Sequence, residues 1–159
     1  MRYQGLLYRG LNPVWARDPL SAEGARRFGG RFNKVGRAAL YTALSPQTAI
    51  KEANQVGHLQ PTTLVSYHAE IVRVFDGTDS ALLAAHAQTF ESLAAPDWRD
   101  RMAAGLAPTQ VFAEDLIAEG YQGLLVQSYA RGATAKDRNL VLWSWKDALT
   151  LIDDEKRLG

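Results

Sequence analysis

The alternation of apolar and polar positions along the chain predicts strands near both ends. Segments typical of strands are Gly5–Arg9, Ala38–Ala43, Thr63–Phe75, Gly123–Ser128 and Asn139–Trp145. Thr63–Phe75 places Val65, Tyr67, Ala69 and Ile71 on one face, and its length fits one long strand or two. Leu149–Ile152 is compatible with a final strand or with the start of a short helix.

Helices are predicted mainly between these strands. Ser45 and Pro46 supply an N-cap and a first-turn proline for a helix that ends near Gly57. Three further helical segments are the alanine-rich Asp79–Ala95, the adjoining Asp97–Gly105, and a helix capped by Thr109 that continues through Glu119. Strands at both ends with helices clustered in the middle predict an α+β fold around a mixed central sheet.

Length and composition favour one compact domain over residues 1–159. Nearly half of the 159 residues are apolar, which suffices for one core but not for two ordinary domains. No apolar run is long enough to cross a bilayer and no signal peptide is recognisable, so we expect a soluble cytoplasmic protein without membrane contact. The absence of cysteine excludes disulfides, thiolate nucleophiles and sulfur-ligated zinc.

Charge and histidine content argue against two other classes of site. The net charge is only +1, so binding to a nucleic-acid backbone is not expected of the molecule as a whole. The three histidines, His58, His68 and His86, lack the spacing of metal ligands, and no metal is expected.

The strongest local signal for ligand binding lies in the glycine-rich, basic segment Leu11–Arg37. This segment has four glycines and six basic residues, and contains the run Gly29-Gly30-Arg31-Phe32-Asn33. Glycines allow backbone N–H groups to approach a ligand closely, and an arginine fork can bind phosphate oxygens. The run matches neither a Walker loop nor a dinucleotide-fold fingerprint, and a solvated basic loop is the alternative interpretation.

Three further side chains are candidates for chemistry. Projection of the Pro46 helix places Glu52 at the edge of the apolar face, with Lys51 opposite, so a partner or a cavity is expected for this carboxylate. A structural ion pair with a loop arginine is the competing explanation. Tyr41 shares a strand face with two alanines, which leaves room for a flat ring to stack. Ser128 ends a strand where its hydroxyl can reach a ligand.

Taken in order, these residues resemble the RES domain, which is named after its Arg, Glu and Ser. The resemblance covers nearly the whole chain and rests on Tyr8-Arg9, Gly29-Gly30-Arg31-Phe32-Asn33, Leu40-Tyr41-Thr42-Ala43, Ile50-Lys51-Glu52, Tyr121-Gln122-Gly123 and Ser128. Phe32 stands where the family more often has tryptophan, which keeps an aromatic ring at this position.

The resemblance implies a fold similar to that of ADP-ribosyltransferases and a toxin that acts on NAD as its substrate. It implies that the catalytic residues are Arg31, Tyr41, Glu52 and Ser128, and that NAD is also held by Arg9, Gly30 and Asn33. Its implied partner is a cognate antitoxin with an Xre-like helix-turn-helix region. The sequence leaves open whether the chain forms a homodimer.

Several activities remain open at this stage. Cleavage of the nicotinamide–ribose bond followed by capture with water or phosphate gives hydrolysis or phosphorolysis, whereas capture by a protein side chain gives mono-ADP-ribosylation. An RNA-binding or RNA-cleaving toxin that uses the basic loop is an alternative of another class, against which the low net charge counts. A binding module without catalytic activity is a further alternative.

Overall fold

The computed structural model describes residues 1–12, 18–54 and 62–152. Within these residues the seven strands are β1 (Tyr3–Leu11), β2 (Leu40–Ala43), β3 (Thr63–Ile71), β4 (Val74–Asp76), β5 (Gly123–Gln127), β6 (Arg138–Leu142) and β7 (Leu149–Leu151). The six helices in this described part of the chain are α1 (Glu23–Phe28), α2 (Pro46–Ala53), α3 (Ser80–Ala85), α4 (Phe90–Ala94), α5 (Trp98–Ala103) and α6 (Pro108–Ala118). Predicted positions at Arg17, Val56, Gly57 and His58 lie outside the described residues.

All seven strands form one mixed sheet in the order β4-β5-β6-β2-β1-β3-β7. The β4–β5 pair is parallel and the other neighbours are antiparallel. The predicted α+β fold with a mixed sheet is therefore confirmed. The segment Thr63–Phe75 forms two strands, β3 and β4, and Leu149–Leu151 forms a strand rather than a helix.

Each face of the sheet has its own apolar cluster. One cluster contains the alternating β3 residues Val65, Tyr67, Ala69 and Ile71, all at most 2% exposed, as the alternation predicts. The second cluster lies on the other face, where Phe75, Phe112 and Val141 belong to it. Tyr41 packs against this second cluster, so this tyrosine of β2 lies on the same side of the sheet as helix α6.

Two predicted helix boundaries are wrong, each because a nearby capping signal competes. The helix predicted to be capped by Thr109 is capped by Ala107, two residues earlier, because Pro108 occupies its first turn and the Gln110 side chain accepts from the backbone N–H of Ala107. The predicted helix Asp79–Ala95 is divided at Ala87, whose φ of 57° interrupts the helical backbone. Thr89 then caps α4 through the N–H of Ser92.

The segment Leu11–Arg37 contains more regular structure than its sequence pattern indicates. Helix α1 lies within it, yet none of the residues of this helix is buried, so no apolar periodicity marks it. Its first and last turns are joined by an exposed ion pair between Glu23 and Arg26, with an N–O distance of 2.5 Å.

Candidate functional site

The carboxylate of Glu52 is the point where three elements of the fold meet. Its Oε1 accepts a hydrogen bond from Asn139 Nδ2 at 2.6 Å and another from the hydroxyl of Ser128. Glu52 belongs to α2, Asn139 to β6, and Ser128 directly follows β5. Two donors on one oxygen fix the orientation of the carboxylate. They also offset the cost of placing its negative charge on the inward side of the helix.

Helix α2 has the local structure needed to present Glu52 to the sheet. The Ser45 hydroxyl caps its N-terminus by accepting from the N–H of Thr48, and Pro46 occupies the first turn, as predicted. Thr48 and Ala49 are buried against the sheet, so residue 52, about one helical turn further on, faces the same way. The predicted inward edge position of Glu52 agrees with this geometry.

Two cavities meet at Glu52, and we name them after their arginines. The Arg31 cavity, of about 300 Å³, is also lined by Trp98 and Tyr129, and the Arg9 cavity has about 250 Å³. Glu52, Tyr41 and Asn139 line both of them. Within the described part of the chain, Glu52 Oε2 makes no hydrogen bond. The carboxylate therefore has one oxygen committed to the protein and one that remains available to a ligand.

The hydroxyl of Tyr41 is fixed by the glycine-rich loop. It donates to Asn33 Oδ1 at 2.6 Å and accepts from the backbone N–H of Phe32 at 3.1 Å. Burial raises the pKa of Tyr41 far above its usual value, so the phenol stays neutral. Because its hydroxyl is already hydrogen-bonded to the loop, Tyr41 lines the two cavities with its aromatic ring and has no free hydroxyl for a ligand.

The run Gly29–Asn33 folds into a tight, internally bonded turn. Gly30 and Asn33 form a backbone bridge, and Gln110 Nε2 donates to both of their carbonyls at 2.9 and 3.1 Å. A Cβ at residue 30 would lie 2.6 Å from the Tyr41 hydroxyl, so only glycine fits there. Both Asn33 and Gly30 thus shape the loop, while their direct contact with NAD stays a prediction.

The side chain of Asn33 stabilises this turn through hydrogen bonds. Its side chain is fully buried, and Nδ2 donates to the carbonyls of Ala25 and Arg37 at 2.8 and 2.9 Å. Because Oδ1 accepts from Tyr41, every polar atom of the side chain has a protein partner. The asparagine connects helix α1 and the strand that carries Tyr41.

Arg31 projects into the cavity from the same loop and is anchored on one edge. Its Nη1 donates to the carbonyls of Leu93 and Ala95 at 3.0 and 2.9 Å, and its Cζ lies 4.4 Å from the centre of the Tyr129 ring. Burial lowers the pKa of Arg31 from its usual value, and burial raises the pKa of Tyr129 to about 12. Among the described contacts, Nη2 and Nε of Arg31 have no hydrogen-bond partner, which leaves donors for an anion.

Arg9 borders the other cavity through its position on β1, but its guanidinium lies on the opposite face of the sheet, the face of Val65 and Tyr67. There its Nη1 donates to the carbonyls of Pro19 and Ser21, each at 3.3 Å. Of the seven predicted site residues, Arg31, Tyr41, Glu52 and Ser128 line the Arg31 cavity or bond to the Glu52 carboxylate, and Gly30 and Asn33 belong to the loop that supports Tyr41. The seventh, Arg9, has its guanidinium on the opposite face of the sheet. The roles of all seven in binding or catalysis remain predictions.

Sequence reasoning missed a buried aspartate that holds α2 in place. Asp137 is 6% exposed, and its carboxylate accepts from Thr48 Oγ1 at 2.6 Å, from Lys51 Nζ at 3.0 Å and from the N–H of Thr134 at 2.8 Å. These hydrogen bonds hold the pKa of Asp137 well below its usual value, the bond from Thr48 contributing most. Lys51 reaches this carboxylate from the outward side of α2, and its side chain is 39% exposed.

Residues 1–12, 18–54 and 62–152 contain neither a group of metal ligands nor a membrane-spanning helix. No three histidine, aspartate or glutamate side chains in these ranges converge on a possible metal position. None of the helices there is long and apolar enough to cross a membrane.

Comparison with solved structures gives the fold a known counterpart. The chain matches a chain in the crystal structure of the M. tuberculosis MbcT-MbcA toxin-antitoxin complex with a TM-score of 0.69 and 23% sequence identity. The match covers 96% of this chain and 84% of the other, so the two share a fold over almost their full lengths.

Comparison of sequences assigns the family. No curated protein matches the chain. The family model of the RES domain, however, matches residues 6–157, a range that includes every candidate site residue named above. Because this match extends over nearly the whole chain, the protein belongs to the RES domain family.

Proposed function

We propose that the protein is the toxin of a toxin–antitoxin pair and that it destroys NAD by breaking the nicotinamide–ribose bond. The observation that carries this proposal is the Glu52 carboxylate, oriented by Ser128 and Asn139 where two cavities meet. The likeness to a toxin–antitoxin complex supports the biological role, and membership of the RES domain family supports NAD as the substrate.

The chemistry of this bond suits the residues at the site. As the bond breaks, positive charge develops on the ribose, and a fixed carboxylate beside it stabilises the transition state more than the ground state. Nicotinamide leaves as a neutral molecule, so no general acid is required. The free Oε2 of Glu52 can bind a ribose hydroxyl, and this contact holds the sugar beside the negative charge.

The surrounding side chains supply binding and orientation in this proposal. The Tyr41 ring offers a flat surface on which the nicotinamide can stack, and its immobilised hydroxyl keeps that surface in place. Arg31 presents unused guanidinium donors to the diphosphate. The second cavity, bordered by β1 and β2, is where the incoming acceptor would lie.

The direct test is to incubate purified protein with NAD and to measure free nicotinamide. We expect release in the presence of a chelator, because the proposed mechanism uses only protein side chains. Parallel reactions with and without phosphate, analysed for ADP-ribose, its phosphorylated form and labelled protein, identify the acceptor. If correctly folded protein releases no nicotinamide under any of these conditions, the proposed activity is wrong.

The proposed role as a toxin has its own test in cells. Induced expression should lower cellular NAD and arrest growth, and co-expression of the cognate antitoxin, which we propose to be a helix-turn-helix protein, should relieve both effects. The matched control is Glu52→Gln expressed to the same soluble level, which should leave NAD and growth unchanged. Unimpaired growth and NAD content at a good yield of the unsubstituted protein would contradict this role.

A further inference from the structure

Two guanidinium groups lie on one wall of the Arg31 cavity. Arg31 extends from the glycine-rich loop, and Arg99 from helix α5. Both guanidiniums contact the buried indole ring of Trp98, whose centre is 5.7 Å from Arg31 Cζ and 4.5 Å from Arg99 Cζ. Cation–π contact with a shared ring therefore holds both positive charges at the same end of the cavity.

Neither of these guanidiniums forms an ion pair within the described part of the chain. Arg31 bonds only to backbone carbonyls, and the contact of Arg99 is with the Trp98 ring. Other arginines behave differently: Arg101, on the same helix, pairs with Asp97 at 2.7 Å, and Arg37 pairs with Glu114 at 2.9 Å. Glu52 lines the same cavity, yet it forms no ion pair with either guanidinium within 4 Å.

The proximity of the two cations has an electrostatic cost. Burial is the main cause that lowers the pKa of Arg31, and the positive charge of Arg99 acts in the same direction, while Tyr129, Tyr41 and Glu52 have opposing effects, each smaller than that of burial. Like charges on a cavity wall repel one another, and an anion bound between them converts this repulsion into two attractions. Guanidinium groups match phosphate oxygens in geometry, and a diphosphate carries a charge on each phosphate.

We infer that Arg99 and Arg31 together form a subsite for a diphosphate ester, in which Arg99 is a binding residue that selects dinucleotides over ligands with one phosphate. This inference rests on the proposed function to the extent that NAD is the natural diphosphate. It also predicts how the dinucleotide is oriented in the site. The diphosphate lies toward α5 and Trp98, and the reacting ribose lies toward α2 and Glu52.

The test uses binding rather than turnover, with ADP-ribose as the probe. This compound has the diphosphate ester and no nicotinamide bond to break. Arg99→Ala should weaken its binding, measured by calorimetry, about tenfold or more, as loss of a charge-assisted hydrogen bond predicts. Arg99→Lys should recover only part of the affinity, because it keeps the charge and loses the planar fork.

Arg101→Ala is the matched control, because it removes an arginine of the same helix that is already paired with a carboxylate. Its affinity for ADP-ribose should equal that of the unsubstituted protein, and AMP should bind with little dependence on residue 99. Wild-type affinity for ADP-ribose in Arg99→Ala overturns the inference, as does an equal loss in Arg101→Ala. Since Arg99 is exposed, folding of the variants is checked by their melting temperatures.

The outcomes separate this inference from the proposed activity. A protein that binds ADP-ribose through Arg99 and releases no nicotinamide supports the subsite and refutes the proposed reaction. A protein that cleaves NAD with an affinity independent of residue 99 supports the reaction and refutes the subsite.

Discussion

Glu52→Gln should reduce single-turnover nicotinamide release by roughly a hundredfold or more, as expected for removal of a preorganised electrostatic group. Glutamine keeps the shape of the side chain and retains an oxygen that can accept from Ser128 and Asn139. The negative charge beside the developing ribosyl cation is lost. Because the charge acts mainly in the transition state, the affinity for NAD should change little.

The same preparation of Glu52→Gln should unfold at nearly the temperature of the unsubstituted protein. Glu70→Gln is the control, because it makes the same chemical change at an exposed position of β3 that borders neither cavity. Its rate of nicotinamide release should be unaltered. If Glu52→Gln instead lost melting temperature while its folded fraction kept the normal rate, Glu52 would be a structural residue and the mechanism would fail.

The sheet could be predicted from sequence because its strands carry local patterns. Alternation in Thr63–Ile71 marks a strand with one buried face, and the apolar run Gly123–Gln127 marks a strand buried on both faces. Helix α1 was not predicted because none of its residues is buried, so its sequence has no apolar periodicity. The boundaries at Thr109 and Ala87 failed because capping depends on competition between neighbouring side chains.

The candidate site could be predicted only in its individual parts. The edge position of Glu52 follows from helical projection, and the family resemblance points to Ser128. Asn139 and Asp137 were missed because their partners on α2 lie more than eighty positions away in the chain. Both belong to the polar run Lys136-Asp137-Arg138-Asn139, which by its pattern is typical of a solvated loop before an apolar strand. Only the fold shows that Asn139 and Asp137 bind side chains of α2.

Asn33→Asp should destabilise the protein by about 3–5 kcal/mol at neutral pH, the usual cost of an uncompensated buried charge. The change replaces Nδ2, which donates to the carbonyls of Ala25 and Arg37, with a carboxylate oxygen that faces both of them. For a chain of this length the melting temperature should fall by roughly 10 °C. The glycine-rich loop should also release Tyr41, whose hydroxyl depends on residue 33.

The pH dependence of this loss distinguishes a buried charge from a general weakening of the loop. Burial and the two carbonyls raise the folded-state pKa of the introduced carboxyl above its unfolded value near 4, so the folded state holds a proton that the unfolded state releases. The deficit relative to the unsubstituted protein should therefore grow as pH rises through about 4 and shrink on acidification. Gln47→Glu, the same amide-to-carboxylate change at an exposed position of α2, should show no such deficit. The measurement is a pair of denaturant titrations at pH 4.5 and 7. If the loss of unfolding free energy in Asn33→Asp were the same at both pH values, residue 33 would act through packing, and a buried charge would not be the cause.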